Sequence, residues 1–369
     1  MLGMIALFFV LYVGRDILVP IIFSTIVAIL LNPLVNYLTR KKVNRVIAII
    51  IALLLGLIVT AGLVWFIVWQ ASRFSDSLPQ LKDKFGVLTA QGIDWAANTL
   101  SISKEKITSW IASLQNQAGS NSSGMIGQTV TTVSGVFIFV ILLPVYIFTI
   151  LFYKPLLLEF IGKAFPNSAQ KTVSEVLVET KSLIQSYLVG LLIEAAIVAT
   201  LNSVGLLIIG VQYALLLGLI SALLNLIPYI GIAIATALPM VMALATQSPQ
   251  AALWVFILFI VVQFIDNQFI VPYIVASKVK INALASIVVV VLIAGYMWGI
   301  SGMFLAIPLT AILKVIFDRI EPLKPYGMLL GDDMPGSGIK LLKLPKPALR
   351  KKAAKVLHTK PPEGKRPRG

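Results

Sequence analysis

Five apolar runs, at 16–38, 46–71, 125–153, 182–210 and 250–275, each exceed the roughly 20 residues that a helix needs to cross a hydrocarbon core. A water-soluble domain has no interior large enough to hide so many unbroken apolar stretches. The composition agrees, with 58% hydrophobic and 12% charged residues and a mean hydropathy of +0.95. The runs are continuous and do not alternate at period two, which argues against an outer-membrane barrel. The chain therefore reads as an all-α polytopic membrane protein.

Charge orients it. Arg40, Lys41, Lys42 and Arg45 form the densest basic cluster before the tail, and short basic loops stay on the cytoplasmic side. Counting from that loop, residues 1–71 form amino-terminal membrane helices, with Trp65 and Trp69 as interfacial anchors near the far end of 46–71. Residues 1–13 are short for a crossing and begin abruptly at Met1, so residues completing a first helix are expected ahead of them. The first apolar run has no basic residue before it and no small-residue pattern after it, as a cleavable signal would have.

Residues 72–124 are a polar insertion whose charge is nearly balanced, which permits an extracytoplasmic location. Leu81, Phe85 and Leu88, then Ile107, Trp110, Ile111 and Leu114, recur at helical spacing and suggest amphipathic helices. Residues 125–320 hold the remaining membrane segments. From Glu321 to the end, 12 Lys and Arg face 4 Asp and Glu, so much of the formal net charge of +15 sits in one tail, expected to be disordered and cytoplasmic. No aromatic residue interleaves the basic ones after Tyr326, which speaks against nucleic-acid binding.

Two stretches do not fit ordinary anchors. In 213–246, an apolar half-segment meets Pro228-Tyr229-Ile230-Gly231 and a second half-segment, interrupted at Pro239, follows. In 284–318, the run 284–297 meets Trp298-Gly299-Ile300-Ser301-Gly302 and continues with Pro308 inside it. Each half is too short to cross, so each pair is expected to enter the bilayer and turn back. The first dips in from outside and the second from inside. The sum is about six crossings, two oppositely inserted re-entrant hairpins and both termini in the cytoplasm.

Turns at membrane depth free backbone N–H and C=O groups, and these survive only when packed in protein or facing a wet cavity. Paired, Gly/Pro-broken segments are for that reason pointers to a transport site. Kinked anchors are the plainer alternative, since Gly and Pro are common in membrane helices. Between the two pairs lie Gln263, Asp266 and Asn267, and the run 182–210 carries Glu194 near its middle. A carboxylate at that depth must be protonated, paired or in contact with water.

The block from Tyr213 through Leu224-Asn225-Leu226-Ile227-Pro228-Tyr229-Ile230-Gly231 to Pro239 resembles the autoinducer-2 exporter family of permeases. So do Gln263 to Pro272, Gly295 to Gly302, Leu305-Ala-Ile-Pro308, and the amino-terminal Leu31-Asn-Pro-Leu-Val35. The resemblance covers about 1–320. It implies a bacterial inner-membrane homo-oligomer that moves a solute without ATP, some relatives exporting autoinducer-2 and others exchanging sodium or lithium for protons. By position it carries over the turn at Pro228, Tyr229 and Gly231, then Gln263 with Asn267 and Pro272, and the turn at Gly299 and Gly302 with Pro308. Asn225, Glu194 and Asp266 are chosen here from their burial and chemistry instead, the two acids as candidates for proton coupling.

The favoured function is alternating-access transport of a small polar solute or a monovalent cation, with H+ or Na+ as a coupling ion and no cofactor. A facilitator using the same turns as a fixed filter, and a membrane scaffold using 72–124 as a partner surface, are the alternatives. An intramembrane enzyme is poorly supported. The chain has no Cys, its one His lies in the polar tail, and no Walker-type loop or metal motif is present.

Overall fold

The computed structural model describes residues 2–75, 141–227, 230–275 and 294–331, with parts of 86–113 and 281–289. Among these residues every regular element is helical. The elements are α1 (Leu2–Val13), α2 (Arg15–Arg40), α3 (Arg45–Ser75), α4 (Ile141–Ala164), α5 (Gln170–Ile209), α6 (Ala214–Asn225), α7 (Ile230–Thr246), α8 (Pro249–Ile265), α9 (Gly295–Arg319) and α10 (Lys324–Leu330). Most of the 72–124 insertion, much of the first arm of the second broken pair and the basic tail beyond Gly331 lie outside the described residues; the start of that tail is not disordered, since 321–323 and α10 are helical and Gly327 is buried against Asp318.

Six helical stretches are long and apolar enough to cross a membrane: 15–40, 45–73, 141–164, 167–209, 249–275 and 295–319. The number matches the sequence reading with one change of membership. The α1 helix, at 12 residues, falls short, whereas 295–319 qualifies by overall length and composition although non-helical backbone at Gly299 divides it into two helices. Large apolar side chains face outward along these helices, Ile58, Trp65, Ile208 and Phe264 among them, as expected where lipid and not water covers the surface. Near the end of α3, Trp65 stacks on Trp69 and the Arg73 guanidinium lies 5.1 Å from the Trp69 ring centre, an arrangement suited to the interfacial belt.

The organising element is α5. At 40 residues it is about 60 Å long, twice the hydrocarbon thickness, so its polar start from Gln170 to Lys181 projects beyond the apolar part. It packs against α2, α6, α8, α9 and the continuation of α8. Buried apolar clusters form on both sides of it, one with α6, α7 and α8 around Leu206 and Val255, the other with α2 and α9 around Ile184 and Leu305. A third cluster joins α2, α3 and α4 around Ile49. At the polar end, Arg319 closes α9 onto α5 through Glu175 and Glu179, the latter at 2.8 Å.

The first broken pair is two short helices, α6 of 12 residues and α7 of 17, packed on each other, with Gly231 opening the second arm. A Cβ at Gly231 would run into the Leu224 carbonyl, so only glycine lets the arms approach this closely. Their union has a second fastening. Pro239 has no N–H for the Ala235 carbonyl one turn earlier, and the Ser221 hydroxyl of α6 donates to that carbonyl at 2.9 Å. The same device recurs between α3 and α4, where Pro155 frees the Leu151 carbonyl and Arg45 donates to it at 2.7 Å.

In the second broken stretch the backbone leaves helical geometry at Gly299, with φ 60° and ψ −142°, inside the segment expected to turn. That conformation belongs almost entirely to glycine. Beside the break the Trp298 indole N–H donates to the Leu11 carbonyl at 3.0 Å, tying α1 to α9.

Candidate functional site

Helical spacing builds the site. Along α5, Tyr187, Leu191, Glu194, Val198 and Asn202 recur every three or four residues and so fall on one stripe. Ser221 and Asn225, four apart, lie on one side of α6. Gln263 ends the regular part of α8, which opens at Asp266 into a π-helix running to Val275. This wider helix, with Pro272 inside it, is the kind of backbone irregularity that concentrates at functional positions.

These three faces enclose a cavity of about 260 Å³ lined by Tyr187, Glu194, Asn225, Gln263, Asp266 and Asn267, with Leu226, Ile232 and Ile307 among its apolar walls. On the scale of drug-binding pockets it is small, and it suits a small solute or a cation with part of its water shell. A second void of about 10 Å³ adjoins Asn202, Ser221, Thr236 and, again, Asn225 and Gln263. Those two amides line both spaces. The polar stripe from Tyr187 to Asn202 is therefore about 22 Å long, most of the thickness of a hydrocarbon core.

Among the described residues Asp266 is the most enclosed acidic or basic side chain, at 1% exposure. One of its oxygens accepts from the Asn225 amide Nδ2 at 3.0 Å, and the other has no hydrogen-bond partner among the described residues. The Asn202 side-chain oxygen is likewise buried and unpaired. Glu194 is 6% exposed, and neither an ion pair nor a hydrogen bond reaches its carboxyl group among the described residues. Gln263 donates to the Asn267 side chain at 3.3 Å. Buried acceptors without a full set of donors gain hydrogen bonds when water or solute hydroxyls reach them, and a carboxylate beside the cavity can help surround a cation. Among the described residues no group of three acidic or imidazole side chains is arranged to hold a metal ion.

The structure thus gathers Glu194, Asn225, Gln263, Asp266 and Asn267, expected as separate polar points in the sequence. Gly231 sits beside the cavity, adjoining Ile232 of its wall. Pro272 is exposed on the π-helix, and Gly299, Gly302 and Pro308 shape α9 without lining the cavity, to which that helix contributes Ile307. Pro228 and Tyr229 lie outside the described residues. Tyr187 was not anticipated. The signal available for it was its position seven residues before Glu194 on the same helical face.

Six membrane-length helices, with a cavity lined by two carboxylates and three amides among the later ones, define a multi-pass membrane protein of the transporter class. The chain belongs to the AI-2E transporter family, whose sequence model matches residues 1–321. It is 28% identical over 314 residues to YueF of Bacillus subtilis (strain 168), covering 82% of this chain and 83% of that one. It is 26% identical over 337 residues to YhhT of Escherichia coli (strain K12), covering 88% and 91%. It is also 24% identical over 335 residues to TqsA of the same strain, which bears the name AI-2 transport protein, covering 86% and 90%.

Proposed function

We propose that this chain is a secondary transporter of the bacterial inner membrane that moves a small polar solute, such as an autoinducer-2-like signal, by alternating access. The observation that carries the reading is the cavity in which Glu194, Asn225, Gln263, Asp266 and Asn267 meet inside the membrane body. Its acceptors complement a hydroxylated solute, and TqsA, a relative along nearly the whole chain, is named for AI-2 transport. In this proposal α6 and α7 form one re-entrant hairpin, and the stretch broken at Gly299 forms a second, inserted from the opposite side. Movement of the two past α5 and α8 exposes the cavity first to one face and then to the other. Both termini lie in the cytoplasm, and the working unit is a homo-oligomer.

A second reading, exchange of sodium or lithium for protons, is favoured by a specific feature. Two carboxylates line one small cavity, and one oxygen of Asp266 is unpaired there. A monovalent cation would compete with protons for such a pair.

Flux in proteoliposomes separates the readings, with wild type compared with Asp266→Asn under an imposed pH gradient, with and without sodium, and with a furanosyl solute supplied. Solute movement that the variant loses by tenfold or more supports the exporter. Sodium movement driven by the pH gradient and lost in the variant supports exchange. If neither solute nor cation moves while the protein is folded in the vesicles, the transport reading of this cavity fails.

A further inference from the structure

At the end of the bundle that carries the basic 40–45 loop, α2, α3 and α4 leave a groove of about 550 Å³. Two cations enter it. Arg45 is held by the Leu151 carbonyl that Pro155 leaves free, and Lys154 donates to the Asn32 side-chain oxygen at 3.0 Å. Lys154 also lies within Coulombic reach of both Arg45 and Lys181 of α5. Among the described residues, none of the three forms an ion pair with a carboxylate. Other cations nearby are matched, as Lys163 of α4 is by Glu159 and Arg319 of α9 by Glu175 and Glu179 of α5.

Like charges brought together at a half-buried site repel, and the arrangement gains stability when an anion joins them. The groove specifies what kind. Its walls are Val35, Val43, Leu151 and Leu158, and Leu158 is exposed toward the surface that lipid covers. A ligand with an anionic head beside an apolar tail fits this mixture better than a free ion does. Arg40, Lys41 and Lys42, all exposed at the rim, add attraction to the same headgroup. The Lys154 ammonium and the Arg45 guanidinium each keep N–H groups beyond those already used, which is what a phosphodiester accepts.

We propose that this groove is a binding site for one acidic phospholipid, whose phosphodiester sits between Arg45 and Lys154, with the charge of Lys181 adding to the attraction, and whose acyl chain lies against Leu151 and Leu158. The groove shares no lining residue with the Glu194–Asp266 cavity and does not depend on what that cavity carries.

The test is native mass spectrometry of the full-length protein released from nanodiscs containing equal phosphatidylglycerol and phosphatidylcholine. Wild type should retain phosphatidylglycerol at least tenfold over phosphatidylcholine, and Lys154→Gln/Lys181→Gln should lose that preference. The control Lys163→Gln/Lys171→Gln removes the same charge from exposed positions on the same helices and should retain lipid as wild type does. Lys181→Gln alone, at an exposed position, provides the same reading if the double variant does not fold. Equal retention by wild type and the Lys154/Lys181 variant, or equal loss in the control, overturns the proposal. So does thermal stabilisation by soluble glycerol 1-phosphate equal to that by phosphatidylglycerol, which would make the groove a soluble-anion site.

Discussion

Two prolines in this molecule free carbonyls that polar side chains from neighbouring helices then satisfy, and this explains residues that the sequence leaves unremarkable. Ser221 sits in an apolar helix with no visible partner until Pro239 is seen to expose the Ala235 carbonyl opposite it. Ser221→Ala should therefore lower stability by about 1 kcal/mol, the usual worth of one hydrogen bond in a membrane interior. In a Pro239→Ala background the restored N–H of residue 239 serves that carbonyl, and Ser221→Ala should then be silent. Thermal unfolding of the four proteins checks it, and equal losses in both backgrounds would disconnect the two residues. Asp266 carries the complementary logic. Its bond from Asn225 survives in Asp266→Asn, because the asparagine oxygen still accepts, so the expected loss is of transport and not of folding.

Helix breaks set the behaviour of whole elements. An added Cβ at Gly299 meets nothing within 4 Å, yet its backbone conformation is one that other residues scarcely adopt. Gly299→Ala should thus cost about 1–3 kcal/mol through the backbone alone, whereas Gly162→Ala, equally unobstructed but inside regular α4, should be neutral or slightly stabilising. Differential scanning fluorimetry in detergent distinguishes them; matching effects would mean that the break in α9 stores no strain. Where α9 closes onto α5, Arg319 is half-exposed, and Arg319→Gln is expected to change stability by less than about 1 kcal/mol. The breaks themselves were legible from Gly and Pro positions, as were the long apolar helices, because backbone sterics and bilayer thickness act locally. The π-helix after Asp266 was not, since the widening of a helix that packs against α5 leaves no local pattern in the sequence. The site was half legible. Glu194 and Asp266 stand out as acids within apolar runs, but the inclusion of Tyr187 and Asn202 depends on the phase of a 40-residue helix. Pro272 does not line the cavity because it is exposed on the π-helix, and Gly302 because it is packed against the Ala294 carbonyl and Trp298.

At the scale of the molecule, α5 forms an unbroken spine carrying Tyr187, Glu194 and Asn202 on one stripe, and besides α2 the elements packed on it are interrupted ones: α6 of the broken pair, α8 with its π-helical end, and α9. An unbroken helix opposite interrupted ones suits alternating access, since breaks are where packed helices have a second arrangement available. The absence of cysteine from the chain makes the central claim directly accessible to a single introduced thiol. The decisive measurement is labelling of Asn267→Cys, in the cavity wall, by a membrane-impermeant thiol reagent applied to either face of oriented vesicles. The account predicts reaction from both faces, with each rate altered severalfold when transported solute or a pH gradient biases the protein toward one side. Reaction from one face only, unchanged by solute and gradient, would contradict it.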